Sequence, residues 1–508
     1  MSEAMICVSV YAETADELSQ RAKAAAASAD VVEIRFDSVR PNELTPALDA
    51  ISPLTSSLKI LATLRPKDQG GARKLSMDER REFWRSAVSK GFWADDLEED
   101  IFDEFSHVTG SKTIASFHDF SADEPDLDNV YGRLNATADM VKIAVTAGDA
   151  TDSIAVWKLL DRAAADGRSL VPIAMGEGGK WTRILGSAHG TPLVYASAEE
   201  GRLTAAGQFT ADDLKHVFRI KDLSRATDIY GLIAGNTAYS MSPYIQNAAF
   251  SASGIDAVFV PFQTANIEGF VRHFVRPDTR QVELNLKGFA VTNPHKIAAA
   301  ALVDELDDAA RQIGSINTIK IEGSRLIGKN TDADGFIGPL EDRIGSVARL
   351  HVAVVGSGGA ARACAYALKR AGADVTIISR NERRAAELAE HFTASFRSDL
   401  QAIAHETFDI IVNATPLGTL GTHENETVAS AADIDGARLV YDLVYNPVET
   451  LLMREARLAG VETLGGMEML IAQGAAQFEI WTGLEAPAEA MRTAAERRLQ
   501  IVWMFPKH

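Results

Sequence analysis

Through roughly its first 220 residues the chain alternates short β-rich apolar runs with Ala- and Leu-rich stretches of helical spacing. The runs are Met5–Val10, Val31–Arg35, Ile60–Leu64, Ala94–Leu97, Thr113–Phe117, Met140–Ala144, Leu170–Ala174 and Leu193–Ala196. Helical stretches such as Ala15–Ala29 and Thr151–Ala165 lie between most of them. This alternation predicts a closed (β/α)8 barrel, with an open doubly wound sheet as the weaker alternative. Val217–Asp228 carries mixed charges and is neither Gly- nor Pro-rich. It reads as the end of the last barrel helix followed by a short, stiff connector. A second βα pattern begins at Ile229–Gly235 and continues to about Gly335. A third unit starts where the apolar run Leu350–Val355 meets a Gly-rich turn. The chain closes with an apolar helical stretch, Met467–Ile480, and a charged helix, Ala488–Val502, that Pro487 can open. The expected fold is α/β throughout.

Composition narrows the partners. The 508 residues are 46% apolar and 24% charged, ordinary values for a globular chain with ample core. Acidic side chains number 70 and basic ones 51, leaving a formal charge of −19. That surface repels phosphate backbones and anionic lipids, so neither nucleic acid nor membrane is an expected partner. Cationic groups that matter should then cluster at sites for small anions. The two cysteines, Cys7 and Cys364, are far apart and belong to no CxxC or zinc-like cluster. No disulfide framework and no metal site is expected, and a reducing compartment fits. Met1–Val10 has no basic segment ahead of an apolar run, and no window approaches 18 uncharged apolar residues. The expectation is a cytoplasmic protein; the sequence does not fix its oligomeric state.

The third unit carries a nucleotide signal. Gly356-Ser357-Gly358-Gly359-Ala360-Ala361 is a G-x-G-x-x-A fingerprint between a strand-like run and a helical one, Ala360–Ala371. Glycines there permit a tight turn and close approach of backbone to a pyrophosphate, whose oxygens meet the free N–H groups of a helix start. The next strand, Asp374–Ser379, runs into Arg380, with Arg383 and Arg384 just beyond. An acidic residue there would bond a ribose hydroxyl pair; arginine suits a 2′-phosphate, which favours NADP over NAD.

The first unit carries a different signal. Glu33 and Arg35 end the second predicted strand and Arg65 the third. Glu98 follows the fourth, His118 the fifth and Arg183 the seventh, while Lys142 lies inside the sixth. Barrel active sites sit at this end of the strands. A lysine in the apolar strand Met140-Val141-Lys142-Ile143-Ala144-Val145 is costly to bury charged. Burial and nearby arginines both lower an amine pKa and free it to attack a ketone. Alone, the lysine could equally snorkel to solvent, and His118 could be structural. The combination with arginines able to hold a carboxylate favours a Schiff-base site; an aldolase-type barrel is a competing reading.

These residues also fall into longer motifs. Val32-Glu33-Ile34-Arg35-Phe36-Asp37, Thr63-Leu64-Arg65 with Gly70-Gly71, Phe117-His118-Asp119, Val141-Lys142-Ile143-Ala144 and Ala206-Gly207-Gln208 resemble type I 3-dehydroquinate dehydratase. Tyr239-Ser240-Met241-Ser242-Pro243, Val291-Thr292-Asn293-Pro294-His295-Lys296, Gly314-Ser315-Ile316-Asn317-Thr318 and Gly328-Lys329-Asn330-Thr331-Asp332 resemble shikimate dehydrogenase. So do the Gly356 fingerprint, Asn413-Ala414-Thr415-Pro416, and Gly465-Gly466-Met467 with Gln473. Together the resemblances cover nearly the whole chain and look like the fused bifunctional enzyme. They imply a dehydratase barrel over 1–222 and a substrate-binding domain over 229–338, with helices from about 467–508 packing back on it. A Rossmann NADP-binding domain would span 339–466.

The resemblance also implies roles. Lys142 would form an imine with 3-dehydroquinate and His118 would move the proton. Arg183 would clamp the carboxylate, and Glu33, Arg35, Arg65, Thr204 and Gln208 would complete the barrel pocket. In the second half Lys296 and Asp332 would be the catalytic pair, acting on 3-dehydroshikimate and shikimate. Ser240, Ser242, Thr292, Asn317, Tyr445 and Gln473 would bind substrate. NADP would lie against Gly356, Ser357, Gly358, Gly359 and Ala360, with Ser379, Arg380 and Arg384 near its 2′-phosphate and Asn413, Thr415 and Gly466 alongside. Departures are Gln69 where the dehydratase pattern usually has an acid, Tyr239 and Gln246 where histidines are frequent, Ser379 for asparagine, and Thr419 for methionine. Gln69 is expected to weaken charge tuning of the histidine. The alternative reading is an NAD-preferring quinate/shikimate dehydrogenase with a weak or inactive dehydratase half.

Overall fold

The structure is a computed structural model that describes residues 3–120, 126–134, 137–198, 207–421 and 423–504. Eight strands open it: β1 (Met5–Val10), β2 (Val31–Arg35), β3 (Ile60–Thr63), β4 (Ala94–Glu98), β5 (Lys112–Asp119), β6 (Met140–Thr146), β7 (Leu170–Met175) and β8 (Leu193–Ala196). They form one sheet in the order β7-β6-β5-β4-β3-β2-β1-β8, parallel at every pairing. Among the described residues no ladder pairing joins β7 to β8. The cylinder closes there through side chains. Cys7, Val31, Leu61, Ala94, Ile114, Met140, Val171 and Leu193, one from each strand, pack into a single apolar floor. Residues two and four positions further along each strand point the same way. The strands' two-residue period therefore lifts Glu33, Arg35, Arg65, Asp96, His118 and Lys142 above that floor, toward the strands' C-terminal ends.

Six strands make the second sheet: β9 (Asp228–Ala234), β10 (Ala257–Gln263), β11 (Leu286–Val291), β12 (Glu305–Leu306), β13 (Thr318–Glu322) and β14 (Arg325–Lys329), in the order β10-β9-β11-β13-β14-β12. The final helices, Gly466–Thr482 and Ala488–Met504, lie on this unit. Phe478, Trp481, Met491 and Ala495 share a core with Tyr230, Ile245 and Phe250. The barrel is packed against the same sheet. Trp181 on the barrel helix Lys180–His189 meets Phe262 of β10 at 6.1 Å and Phe274 at 5.3 Å between ring centroids. One apolar core thus crosses from the first half into the second.

The third sheet holds β15 (His351–Val355), β16 (Asp374–Ile378), β17 (Ser395–Arg397), β18 (Ile410–Asn413), β19 (Leu439–Asp442) and β20 (Glu462–Gly465). Its order, β17-β16-β15-β18-β19-β20, is all-parallel and reverses direction at β15. That reversal opens a crevice at the C-terminal end of β15, where nucleotides bind in such sheets. Among the described residues no helix is long and apolar enough to cross a membrane.

Candidate active sites

Lys142 sits in the barrel centre with 1% of its surface exposed. Its ammonium pairs with Asp96, and the Tyr195 hydroxyl lies 3.4 Å away. Asp96 also accepts from Arg65 Nη2 at 2.8 Å. Arg65 Nε reaches Glu98 at 3.3 Å, Arg80 holds the other Glu98 oxygen at 2.9 Å, and Arg80 ends on Asp100 at the surface. Because Arg65 remains on Asp96, Lys142 can release its proton without stranding a buried carboxylate. Burial first, then the Arg65 guanidinium, pulls the Lys142 amine below the usual lysine range, while Asp96 and Glu33 oppose them. Burial, followed by the charges of Arg65 and Lys142, holds His118 well below the ordinary imidazole value. Its Nδ1 is buried with no partner among the described residues.

A cavity of about 440 Å³ opens above these groups, lined among others by Glu33, Arg35, Arg65, His118, Lys142, Arg183 and Gln208. Thr204 lies outside the described residues. Glu33 accepts from Ser9 Oγ at 2.5 Å and Thr63 Oγ1 at 2.9 Å. Arg35 forms two parallel bonds to Asp37 at 2.9 and 2.8 Å. Gln69 lines the same cavity.

Arg183 differs from the other cations. It is 4% exposed, its Nε and Nη2 have no partner among the described residues, and burial pushes it down to about 10. A buried guanidinium without a counterion is a strained group that an incoming carboxylate would relieve. Arg183→Met is therefore expected to raise the melting temperature while increasing the KM for a carboxylate substrate by about 10- to 100-fold. Thermal melts and steady-state kinetics check this, and an unchanged KM would remove Arg183 from the site.

Sequence reading missed Asp96, Asp37, Tyr195 and Arg80 as site residues. Ala94–Leu97 reads as a β-run with Glu98 just beyond it, yet Asp96 inside that run was not singled out. The signal lay in its β-strand setting, since acids at alternating positions of a barrel strand face inward.

The second cavity, about 530 Å³, lies between the second and third sheets. It gathers Ser240, Ser242, Thr292, Asn317, Tyr445 and Gln473 around Lys296 and Asp332. Lys296 Nζ is 2.5 Å from Asp332 Oδ2. The other Asp332 oxygen accepts from Asn317 Nδ2 at 2.9 Å, and that amide also donates to Thr331 Oγ1 at 2.9 Å. Asp332 opens the helix Asp332–Ile344, which lies tightly on the helix Gly466–Thr482. A Cβ at Gly335 would meet Gln473 Cβ at 2.7 Å, so only glycine permits this approach of Gln473 to the pair. Tyr239 is 68% exposed at the rim and Gln246 is buried, its amide held by the Gly474 carbonyl at 2.9 Å.

The fingerprint turn fits a dinucleotide. Gly356 adopts φ 126°, and a Cβ on it would lie 2.9 Å from the Ala414 carbonyl. Gly358 faces open space at the start of helix Gly359–Arg370. Gly359 borders the Lys296 side chain, so the helix Gly359–Arg370 starts beside the Lys296–Asp332 pair. Ser357 and Ser379 share a hydroxyl bond at 3.0 Å, tying the turn to the end of β16. Arg380 and Arg384 are exposed just beyond. Asn413 is fully buried; its amide donates to Leu417 O and Asp442, and its carbonyl accepts from Thr415. Those bonds fix both side chains in the turn beside Gly356. Gly466 and Ala360 line the shared cavity.

Fold and sites together define a two-catalyst chain: a buried-amine (β/α)8 barrel joined to a two-domain, nucleotide-dependent dehydrogenase. Family comparisons agree. The model for type I 3-dehydroquinase matches residues 6–225, and that for the shikimate dehydrogenase substrate binding domain matches 232–319. Shikimate / quinate 5-dehydrogenase matches 340–450, and the shikimate 5′-dehydrogenase C-terminal domain matches 466–496. The chloroplastic bifunctional 3-dehydroquinate dehydratase/shikimate dehydrogenase of Arabidopsis thaliana is 34% identical over 96% of this chain and 83% of its own. The shikimate dehydrogenase (NADP(+)) of Methanococcus maripaludis is 35% identical over 54% of this chain and 98% of its own. A shikimate dehydrogenase solved with NADP+ is 36% identical, covers 54% of this chain and 96% of its own, and superposes with a TM-score of 0.50. The chain belongs to the bifunctional 3-dehydroquinate dehydratase/shikimate dehydrogenase family. It combines a lyase with an NADP-dependent oxidoreductase of the shikimate pathway; an NAD-preferring quinate enzyme is not favoured.

Proposed function

We propose that the barrel dehydrates 3-dehydroquinate through an imine on Lys142, and that Lys296 and Asp332 serve the reduction of the resulting 3-dehydroshikimate to shikimate. The observation that carries this reading is the buried Lys142 amine in a cavity shared with His118, where burial and Arg65 favour the uncharged form of both groups. The amine attacks the ketone and loses water to give a protonated imine, which draws electrons from the adjacent carbon. His118 takes a proton from that carbon and returns one to the departing hydroxyl, so a second water leaves. Hydrolysis of the imine then frees 3-dehydroshikimate and restores the amine. Arg183 holds the substrate carboxylate throughout, and Glu33, Arg35, Arg65 and Gln208 orient the hydroxyls and the reacting groups.

In the second cavity Ser240 and Ser242 bind the carboxylate, with Thr292, Asn317, Tyr445 and Gln473 holding the ring hydroxyls. NADPH supplies the hydride when bound. Lys296 delivers a proton to the substrate's carbonyl oxygen, and Asp332, fixed by Asn317, keeps the ammonium aimed there. Gly356, Ser357, Gly358, Gly359 and Ala360 would hold the pyrophosphate, and Arg380 and Arg384 with Ser379 the 2′-phosphate. Arg380→Ala should reduce the preference for NADP+ over NAD+ about tenfold by raising the NADP+ KM alone; equal KM shifts for the two cofactors would exclude that contact.

We assign the barrel to 1–222, the substrate domain to 229–338 with the C-terminal helices, and the nucleotide domain to 339–466. Two buried, unpaired cysteines suit a reducing compartment, and we place the protein in the cytoplasm, without nucleic-acid partners. A coupled assay with 3-dehydroquinate and NADPH tests the whole reading. Loss of reduced cofactor is expected; consumption with 3-dehydroshikimate but none with 3-dehydroquinate would sink the dehydratase half.

A further inference from the structure

The barrel's mouth is held by the other enzyme. β6, which carries Lys142, runs on through Gly148 and Asp149; β7 runs on through Glu177 toward the helix that carries Arg183. Gln263, the last residue of β10, belongs to the dehydrogenase half yet lines the barrel cavity. Its Nε2 donates to the Gly148 carbonyl at 3.3 Å, and its Oε1 accepts the Thr237 N–H at 3.3 Å. Thr237 Oγ1 donates to Glu177 at 3.4 Å, and the Ala265 N–H donates to Asp149 at 2.8 Å. Gly148 and Glu177 themselves line the cavity.

We propose that Gln263 is a positioning residue of the dehydratase supplied by the dehydrogenase half: it fixes the loop after β6 at the rim through which substrate is bound. The inference rests on the dehydratase reading of the barrel. Rim loops without such ties lose conformational entropy when substrate orders them. Here the ordering is in place beforehand, which favours binding. Lys142 and His118 stand on strands, whose geometry does not depend on this loop, so the contact acts on KM rather than kcat.

Full-length Gln263→Ala and Gln263→Glu test this. The first removes both bonds; the second keeps the acceptor for Thr237 and loses the donor to Gly148. Both are expected to raise the KM for 3-dehydroquinate about three- to tenfold with kcat within about twofold. In Gln263→Glu the KM for shikimate should stay at the parental value. Thr237→Val, which cuts the separate tie to Glu177, should raise the 3-dehydroquinate KM in the same direction. An unchanged 3-dehydroquinate KM in Gln263→Ala and Thr237→Val, or parallel loss of kcat in both reactions, would overturn the inference. A parental enzyme that does not turn over 3-dehydroquinate would overturn it together with the dehydratase reading; parental turnover with unchanged variants overturns this inference alone.

Discussion

Lys142→Ala is expected to lower dehydration of 3-dehydroquinate by about 10⁴-fold or more while leaving shikimate oxidation intact. The size follows from the absence of a substitute. Lys142 supplies the amine at the floor of the cavity, and His118 alone can move a proton but cannot acidify the carbon it takes it from. Borohydride added with 3-dehydroquinate should reduce the imine and leave a covalent adduct, which mass spectrometry would place on Lys142. The trapping rate should rise with pH and level off at a pH below that of an ordinary lysine. The sign follows from the chemistry: only the neutral amine attacks, its share grows as pH climbs through the amine's pKa, and burial with Arg65 moves that pKa down. An adduct on another residue, or none, would refute the imine at Lys142.

Lys296→Ala should lower kcat for shikimate oxidation by about 10²–10⁴-fold with little change in shikimate KM, because the lost interaction is made chiefly in the transition state. Asp332→Asn should do nearly as much damage. Asn317 donates to one Asp332 oxygen and Lys296 to the other, so an amide at 332 turns an NH2 toward a donor. In both variants dehydration should proceed at the parental rate, since Lys296 and Asp332 line the second cavity and not the barrel's. Loss of both activities would show that the halves do not work independently.

Much of the fold could be read before the structure was known. The eight expected barrel runs coincide with β1–β8 to within two residues at either end, because a buried strand is a short apolar segment cut off by turn residues. Closure was expected from the count of eight strands, but how the β7–β8 seam is filled, by side chains meeting across the cylinder, was not legible. Of the candidate site residues, those at strand ends gathered as expected, because strand direction and two-residue periodicity send them to the same rim. Arg183 came from the first turns of a helix, and the lack of a partner for its Nε and Nη2 among the described residues could not be read from neighbours in the chain.

The sequence by itself determined where strands and helices fall, that Lys142 lies inside a buried barrel strand, and where the glycine turn after β15 lies. These follow from local periodicity and turn chemistry, which act over a few residues. Only the tertiary structure decided who partners whom. Asp96 meets Lys142 across 46 residues, and Gln263 meets Gly148 across 115. Such contacts depend on sheet register and on how the halves pack, so the amine's acidity and the clamp on the barrel's rim emerge only when the whole chain is folded.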